Sequence, residues 1–283
     1  MVMAKRNKVR NIPGTCIFCT KQGLSKEHLW PEWMHDLIRV PGTRSSNVAE
    51  YHVGDKTRGV ISSTRRERQG HVTTIKFRVV CRDCNNTWMA VIEETAKPIL
   101  GPLIRGSDGT LSSEGQKTLA TWATLKVMVA EQSKPEEAVF SDQDRAAFMR
   151  ERIIPSSVRV WVARCIAPLW RNAFLRCSGQ LALGTTLPPT VFPTSERKNV
   201  QTSAFGVGEL FIYTTVSRAE GIDLNELIRV RDYLVPIYPN TGDAIRLPLR
   251  FIIPETVANR IATALNSFMS SKRVHHFDIP TQS

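Results

Sequence analysis

The chain has no run approaching the roughly 18 consecutive apolar residues of a membrane-spanning helix. Its first residues, MVMAKRNKVRN, are charged and lack the apolar stretch of a secretory leader, so export is not expected. There is no internal repeat and no low-complexity tract, and the C-terminal region has no nucleotide-binding glycine loop. These absences set aside collagen-like, coiled-coil and membrane proteins, and no membrane partner is expected. With 42 % hydrophobic and 23 % charged residues, a fully disordered chain is set aside too. At 283 residues the chain can bury a core without a disulfide scaffold, and its length suggests about two domains. A cytoplasmic location is expected.

What is present in excess is positive charge. Lys and Arg number 38 against 26 Asp and Glu, a net of +12. Residues 1–100 hold 17 basic and 9 acidic side chains, net +8, and the remaining 183 residues hold 21 and 17, net +4. A basic N-terminal third raises the local concentration of phosphate polymers, although the same excess also serves plain solubility.

Cysteine is scarce, six in all, but four of the six form two Cys-x-x-Cys pairs, Cys16/Cys19 and Cys81/Cys84. In a reducing compartment, where disulfides are rare, two such pairs read as a four-thiolate zinc site. A thioredoxin-like redox motif would need a single pair beside a βαβ pattern, which is not seen. Cys165 and Cys177 stand alone in apolar company and read as small buried residues.

The chain divides into a basic tail at 1–12, a module at 13–110 with an insertion at about 40–71, a helical connector at 111–156 and a region at 157–283. Pro31 opens a short helix over 30–39, and VTTIKFRVV at 72–80 is a strand leading into Cys81. A helix from Asn85 or Asn86 to Lys97 is expected to stop before Pro98. A second spans about 112–131, capped by Ser112 or Ser113, with a mostly apolar stripe of Leu119, Trp122, Ala123, Lys126, Val127 and Ala130. After a helix at 141–152, β-rich runs separated by turns and a closing amphipathic helix at about 255–271 read as an antiparallel sheet with a helix. The fold class is therefore α+β.

A structural zinc site accounts for the four cysteines. It requires neither Glu27-His28 nine residues past the first pair nor an Asn directly after the last cysteine. His28 is neutral near pH 7 and suited to take a proton from an attacking water. Glu27 and Asn85 offer hard oxygen ligands for Mg²⁺ or Mn²⁺. Such a cation would stabilise charge developing on a scissile phosphate.

Together Cys16-x-x-Cys19, Glu27-His28-Leu29-Trp30-Pro31 and Cys81-x-x-Cys84-Asn85 resemble the HNH endonucleases, the ββα-metal nucleases, in their zinc-stapled, four-cysteine branch. The resemblance covers about residues 14–100. It implies an N-terminal ββα-metal nuclease module, His28 as general base, Glu27 and Asn85 on a catalytic Mg²⁺ or Mn²⁺, and a structural Zn²⁺ on the cysteines. The implied activity is hydrolysis of phosphodiester bonds in nucleic acid, with DNA the expected polymer. The chain departs from the pattern in two ways. The 61 residues between the cysteine pairs exceed what the compact core needs, and the surplus is assigned to 40–71. The family's terminal helix His has no counterpart, so Asn85 or Asn86 must supply the helix-side ligand. Glu93 or Glu94 could assist, but a solvated helix face is the simpler expectation for both.

Other residues carry simpler readings. Trp30, Trp33 and Trp88 are expected to pack around the first cysteine pair. His35, His52 and His71 read as surface or packing residues. Arg65, Arg66 and Arg68 are candidate nucleic-acid contacts, although a charge run is usually only solvated. The alternative function is a non-catalytic zinc-knuckle nucleic-acid-binding or regulatory protein. Residues from 157 on show no catalytic cluster, and the reading leaves room for a homodimer.

Overall fold

The structure, a computed structural model, describes residues 14–38, 75–181, 198–219, 223–225, 232–240 and 242–269, and the backbone of 46–54, 61–69 and 270. The basic tail and His71 lie outside the described residues, as do the side chains of His52, Arg65, Arg66 and Arg68.

Strand β1 (Leu24–His28) runs through a 3₁₀ turn at Glu32–Met34 into the one-turn helix α1 (His35–Ile38). Within the expected insertion, β2 (Ser46–Gly54) and β3 (Ile61–Gln69) form an antiparallel ribbon that sets Glu50 opposite Arg65 and Asn47 opposite Arg68. The chain then returns as β4 (Lys76–Cys81), antiparallel to β1. β4 passes directly into a helical run made of α2 (Arg82–Cys84), a π turn at Asn85–Met89 and α3 (Ala90–Arg105).

That run corrects the expected stop at Lys97, because the helix continues through Pro98 and Pro102. Each proline removes one backbone donor, which normally ends or kinks a helix. Here the face carrying Ile92, Ala96, Leu100, Leu103 and Ile104 is buried, and that burial outweighs the lost bonds. The helix ends at Gly106, which takes the left-handed conformation at φ 65°. The Ser107 N–H then reaches back to the Pro102 carbonyl at 2.9 Å, a closure that favours glycine. A Cβ there would also sit 2.1 Å from the Glu209 carboxylate.

A short strand, β5 (Gly109–Leu111), precedes helix α4 (Ser113–Ala130), whose N-cap Ser112 hydroxyl accepts from the Gly115 N–H at 3.1 Å. Helix α5 (Asp142–Glu151) carries a capping box. The Ser141 hydroxyl accepts from the Asp144 N–H at 3.1 Å, and the Ser141 N–H donates to the Asp144 carboxylate at 2.7 Å.

The remaining strands are β6 (Val158–Cys165), β7 (Asn172–Gly179), β8 (Val200–Val207), β9 (Leu210–Ser217), β10 (Val235–Tyr238), β11 (Ile245–Leu247) and β12 (Ile252–Ile253). They form an antiparallel sheet ordered β10-β6-β9-β8-β7, while β11 pairs with β5. The sheet is not wholly antiparallel, since β12 joins β6 in parallel. The expected single C-terminal helix is two, α6 (Glu255–Ala262) and α7 (Ala264–Ser270). The break falls at Thr263, whose hydroxyl and N–H both bond the Asn259 carbonyl, a side-chain bond that bends helices.

Alternate residues of the sheet enter different cores. Val160, Val162, Phe205, Val207 and Ile212 join one continuous buried cluster that also holds Cys16, Phe18, Trp30, Val80 and the inner faces of α3 and α4. Trp161, Ala163, Ala204, Phe211 and Tyr213 pack on the other side against Ala258, Ile261 and Ala262 of α6. Both faces of β8 and β9 are thus covered, so both strands are buried almost throughout, the polar Gln201, Thr202, Ser203, Thr214 and Thr215 included.

Candidate functional site

The first cysteine pair sits in a tight loop. The Cys16 N–H donates to the Lys21 carbonyl at 2.8 Å and the Thr20 N–H to the Cys16 carbonyl at 3.0 Å. The Ile17 N–H donates to the Val79 carbonyl at 3.0 Å, fastening the loop to β4. Gly23, at φ 84°, turns the chain into β1. Cys81 ends β4 and serves as the N-cap of α2, its sulfur accepting from the Cys84 N–H at 3.4 Å. All four sulfurs lie within 4.8 Å of one another. A tetrahedron with Zn–S bonds of about 2.3 Å has edges of about 3.8 Å, so the cluster fits a metal such as zinc.

Beside this cluster opens a cleft of about 300 Å³ lined in part by Glu27, His28, Asn85 and Glu93. The strand β1 supplies the first two. Its pairing with β4 is irregular between Ser25 and Glu27, where Arg78 and Val79 together face Lys26. A bulge of this kind re-aims neighbouring side chains. Glu27 is buried and His28 half-buried at the strand end.

His28 Nε2 lies 3.5 Å from the Glu32 carboxylate, and its ring centroid is 6.0 Å from that of His35. His35 is itself held, its Nε2 3.1 Å from the Trp30 carbonyl oxygen. Partial burial pushes the His28 pKa below its ordinary value, and the Lys76 charge adds to this, against the pull of Glu32. His28 is therefore a neutral imidazole at neutral pH.

Asn85 lies inside the helical run, so it does not cap the helix start. Its amide nitrogen donates to the Ser25 hydroxyl at 3.2 Å, and the residue lines the cleft. Asn86 is exposed at the cleft edge.

The expectation of a solvated helix face holds for Glu94 and fails for Glu93. The Glu94 side chain is 71 % exposed and its nearest cation, Lys97, is 4.0 Å away. The Glu93 side chain is 24 % exposed and pairs with the ammonium of Lys126. Lys126 comes from α4, a helix outside the 14–100 segment, and its side chain is 0 % exposed. Its Nζ also donates to Glu27 Oε1 at 2.7 Å and to the His28 carbonyl at 3.1 Å. Burial works against the Lys126 charge, but the two carboxylates outweigh it and raise its pKa. Burial raises the Glu27 pKa in turn, with Lys126 pulling it down. Sequence reading placed Lys126 in an apolar stripe. The one signal was a lone cation on that face, because a buried lysine demands an acidic partner.

The tryptophans divide. Trp88 stacks edge-on to Phe18 at 4.9 Å and lies under the Arg152 guanidinium at 4.4 Å, beside the cysteine loop as expected. Trp30 instead meets Phe205 of the large sheet, and Trp33 lines the cleft with Lys97 over its ring. Cys165 is buried and Cys177 half-buried, apart from any metal-spaced group among the described residues.

The chain matches no family model, no curated protein and no solved structure. Among the described residues, no helix is long and apolar enough to cross a membrane.

Proposed function

We propose that the chain is a metal-dependent endonuclease of the HNH type, hydrolysing phosphodiester bonds in nucleic acid, with DNA the expected substrate. The observation that supports this most is convergence. A strand pair and the helix that follows it bring Glu27, His28 and Asn85 to one cleft beside four clustered cysteines. The cysteines take a structural Zn²⁺ in this reading, which ties the loop before β1 to the helix start and so fixes the three cleft residues together.

The donor set suits a hard divalent cation. Among the described residues only the cysteines form a group of three or more His, Cys, Asp or Glu at metal-ligating spacing. The cleft offers oxygen ligands from Glu27 and Asn85. That is the incomplete set Mg²⁺ accepts, since it keeps waters and takes substrate phosphate oxygens as its remaining ligands. A cation held by these residues would supply charge stabilisation at the scissile phosphate. His28, neutral and lining the cleft, accepts the proton of the attacking water. Glu32, 3.5 Å from His28 Nε2, favours the imidazolium formed when it does.

The pairing of Glu27 with Lys126 favours the second reading, a zinc-knuckle binder in which Glu27 is structural. The test is nicking of supercoiled plasmid with Mg²⁺ or Mn²⁺, with and without EDTA, comparing the native chain with His28→Ala. Metal-dependent nicking lost in the variant is expected. Absence of nicking under all conditions, with DNA binding retained, leaves the binder.

A further inference from the structure

The ammonium of Lys126 is the least explained group near the cleft. It is wholly buried, and it makes three contacts: Glu27 Oε1 at 2.7 Å, the His28 carbonyl oxygen at 3.1 Å, and Glu93 Oε1. A lysine has three N–H donors and no acceptor, so every donor is spent and the head cannot rotate. Both carboxylates it meets also line the cleft. One comes from the end of β1 and the other from α3. Without a cation between them, two carboxylates this close would repel and swing apart. Burying a lysine solely for stability is poor design, since apolar side chains of similar volume serve a core as well or better.

We propose that Lys126 is a positioning residue. Its single ammonium holds Glu27 and Glu93 side by side, so that Glu93 is the helix-side carboxylate of the cleft. The inference rests on reading the cleft as a metal-dependent phosphodiesterase site. It adds to that reading a ligand residue, Glu93, and a dependence on helix α4. It also sets the formal charge. Two carboxylates and one ammonium sum to −1, which suits one divalent cation bound together with one phosphodiester.

The test uses the full chain with its cysteine site loaded. Lys126→Met alone leaves two facing carboxylates and is expected to fold poorly. Lys126→Met/Glu93→Gln removes one charge of each sign, keeps the formal sum at −1, and is read against Glu93→Gln, which lacks the same carboxylate but keeps the ammonium. Three quantities are measured on both variants: Mn²⁺ affinity by calorimetry, kcat and KM for plasmid nicking, and melting temperature. If Lys126 is a positioning residue, the double variant binds Mn²⁺ about tenfold more weakly than Glu93→Gln and its kcat is about 100-fold lower, the scale expected of misplaced groups, while KM for DNA stays level. A lower melting temperature with Mn²⁺ affinity and kcat unmoved overturns the proposal and leaves a purely structural ion pair. Loss of Mn²⁺ binding in Glu27→Gln confirms separately that calorimetry reports the cleft. Native protein that binds no Mn²⁺ there defeats the underlying reading and this inference with it.

Discussion

Trp30 stands edge-on to Phe205, their ring centroids 5.8 Å apart. One follows the Glu27-His28 pair by two residues, and the other lies in β8 of the large sheet. Both belong to the buried cluster that also holds Cys16 and Cys81. The cleft is therefore built on a core to which the C-terminal sheet contributes. Trp30→Ala should cost about 3–5 kcal/mol, the range for a buried aromatic truncated to alanine. Urea unfolding followed by fluorescence should still show one transition, displaced to lower denaturant. Two separate transitions would mean that the N-terminal third and the sheet fold independently. A fragment ending near residue 110 should be insoluble for the same reason, because it exposes Leu29, Trp30 and the inner face of α3.

The cysteine cluster makes a prediction of its own. Purified protein should carry about one Zn²⁺ per chain, and Cys84→Ser should lose it. Metal binding and folding are linked in such sites, so the variant should also melt at a lower temperature. The shared core should keep the rest of the chain folded, unlike an isolated zinc finger. Elemental analysis of folded native protein showing no metal would remove the structural role assigned to the four thiols.

Much of the architecture was legible in short-range pattern. Ser112 before an apolar stripe marked α4, and VRVWVARC marked β6. The cysteine spacing marked a cluster whose members lie far apart in the chain. What escaped were effects that depend on the far side of a contact. Pro98 reads as a helix stop unless the buried face beyond it is known. Thr263 reads as an ordinary helical residue until its hydroxyl is seen on the Asn259 carbonyl. Glu93 and Lys126 are unremarkable apart, one on a helix surface and one in an apolar stripe. Their meaning comes from the packing of α3 on α4, which sequence periodicity cannot register because it describes one helix at a time.

Nicking activity should respond to pH through His28. A general base works unprotonated, and burial together with the charge of Lys76 holds the His28 pKa below its ordinary value. Activity should therefore persist as pH falls through about 6.5, the ordinary histidine value, and decline only below it. Lys76 stands opposite His28 in the strand pair. Lys76→Glu replaces a repelling charge with an attracting one and should move the acid limb to higher pH. The measurement is kcat/KM for nicking from pH 5 to pH 8 in both proteins, on the histidine titration range. An acid limb that stays put in Lys76→Glu would show that His28 does not set it.

The sharpest separation is between the base and its oxygen-donor neighbours. His28→Ala should abolish nicking, a loss of roughly 10²–10⁴-fold for a positioned base, while metal content at the cysteines and DNA affinity stay near native. The reason lies in the geometry: the His28 side chain lines the cleft and meets Glu32, not a cysteine. Asn85→Ala should behave differently. It removes a cleft-lining amide whose nitrogen is held on the Ser25 hydroxyl, so it should weaken the hold on the divalent cation. Raising Mg²⁺ or Mn²⁺ should then restore part of the Asn85→Ala activity and none of the His28→Ala activity. If His28 were only a packing residue, its replacement would lower the melting temperature, the zinc content and DNA binding together. Plasmid nicking across a Mn²⁺ series, with zinc content and melting temperature taken on the same samples, distinguishes these patterns. Full nicking by His28→Ala would rule out the base assignment, and loss of all three properties at once would assign His28 to the fold.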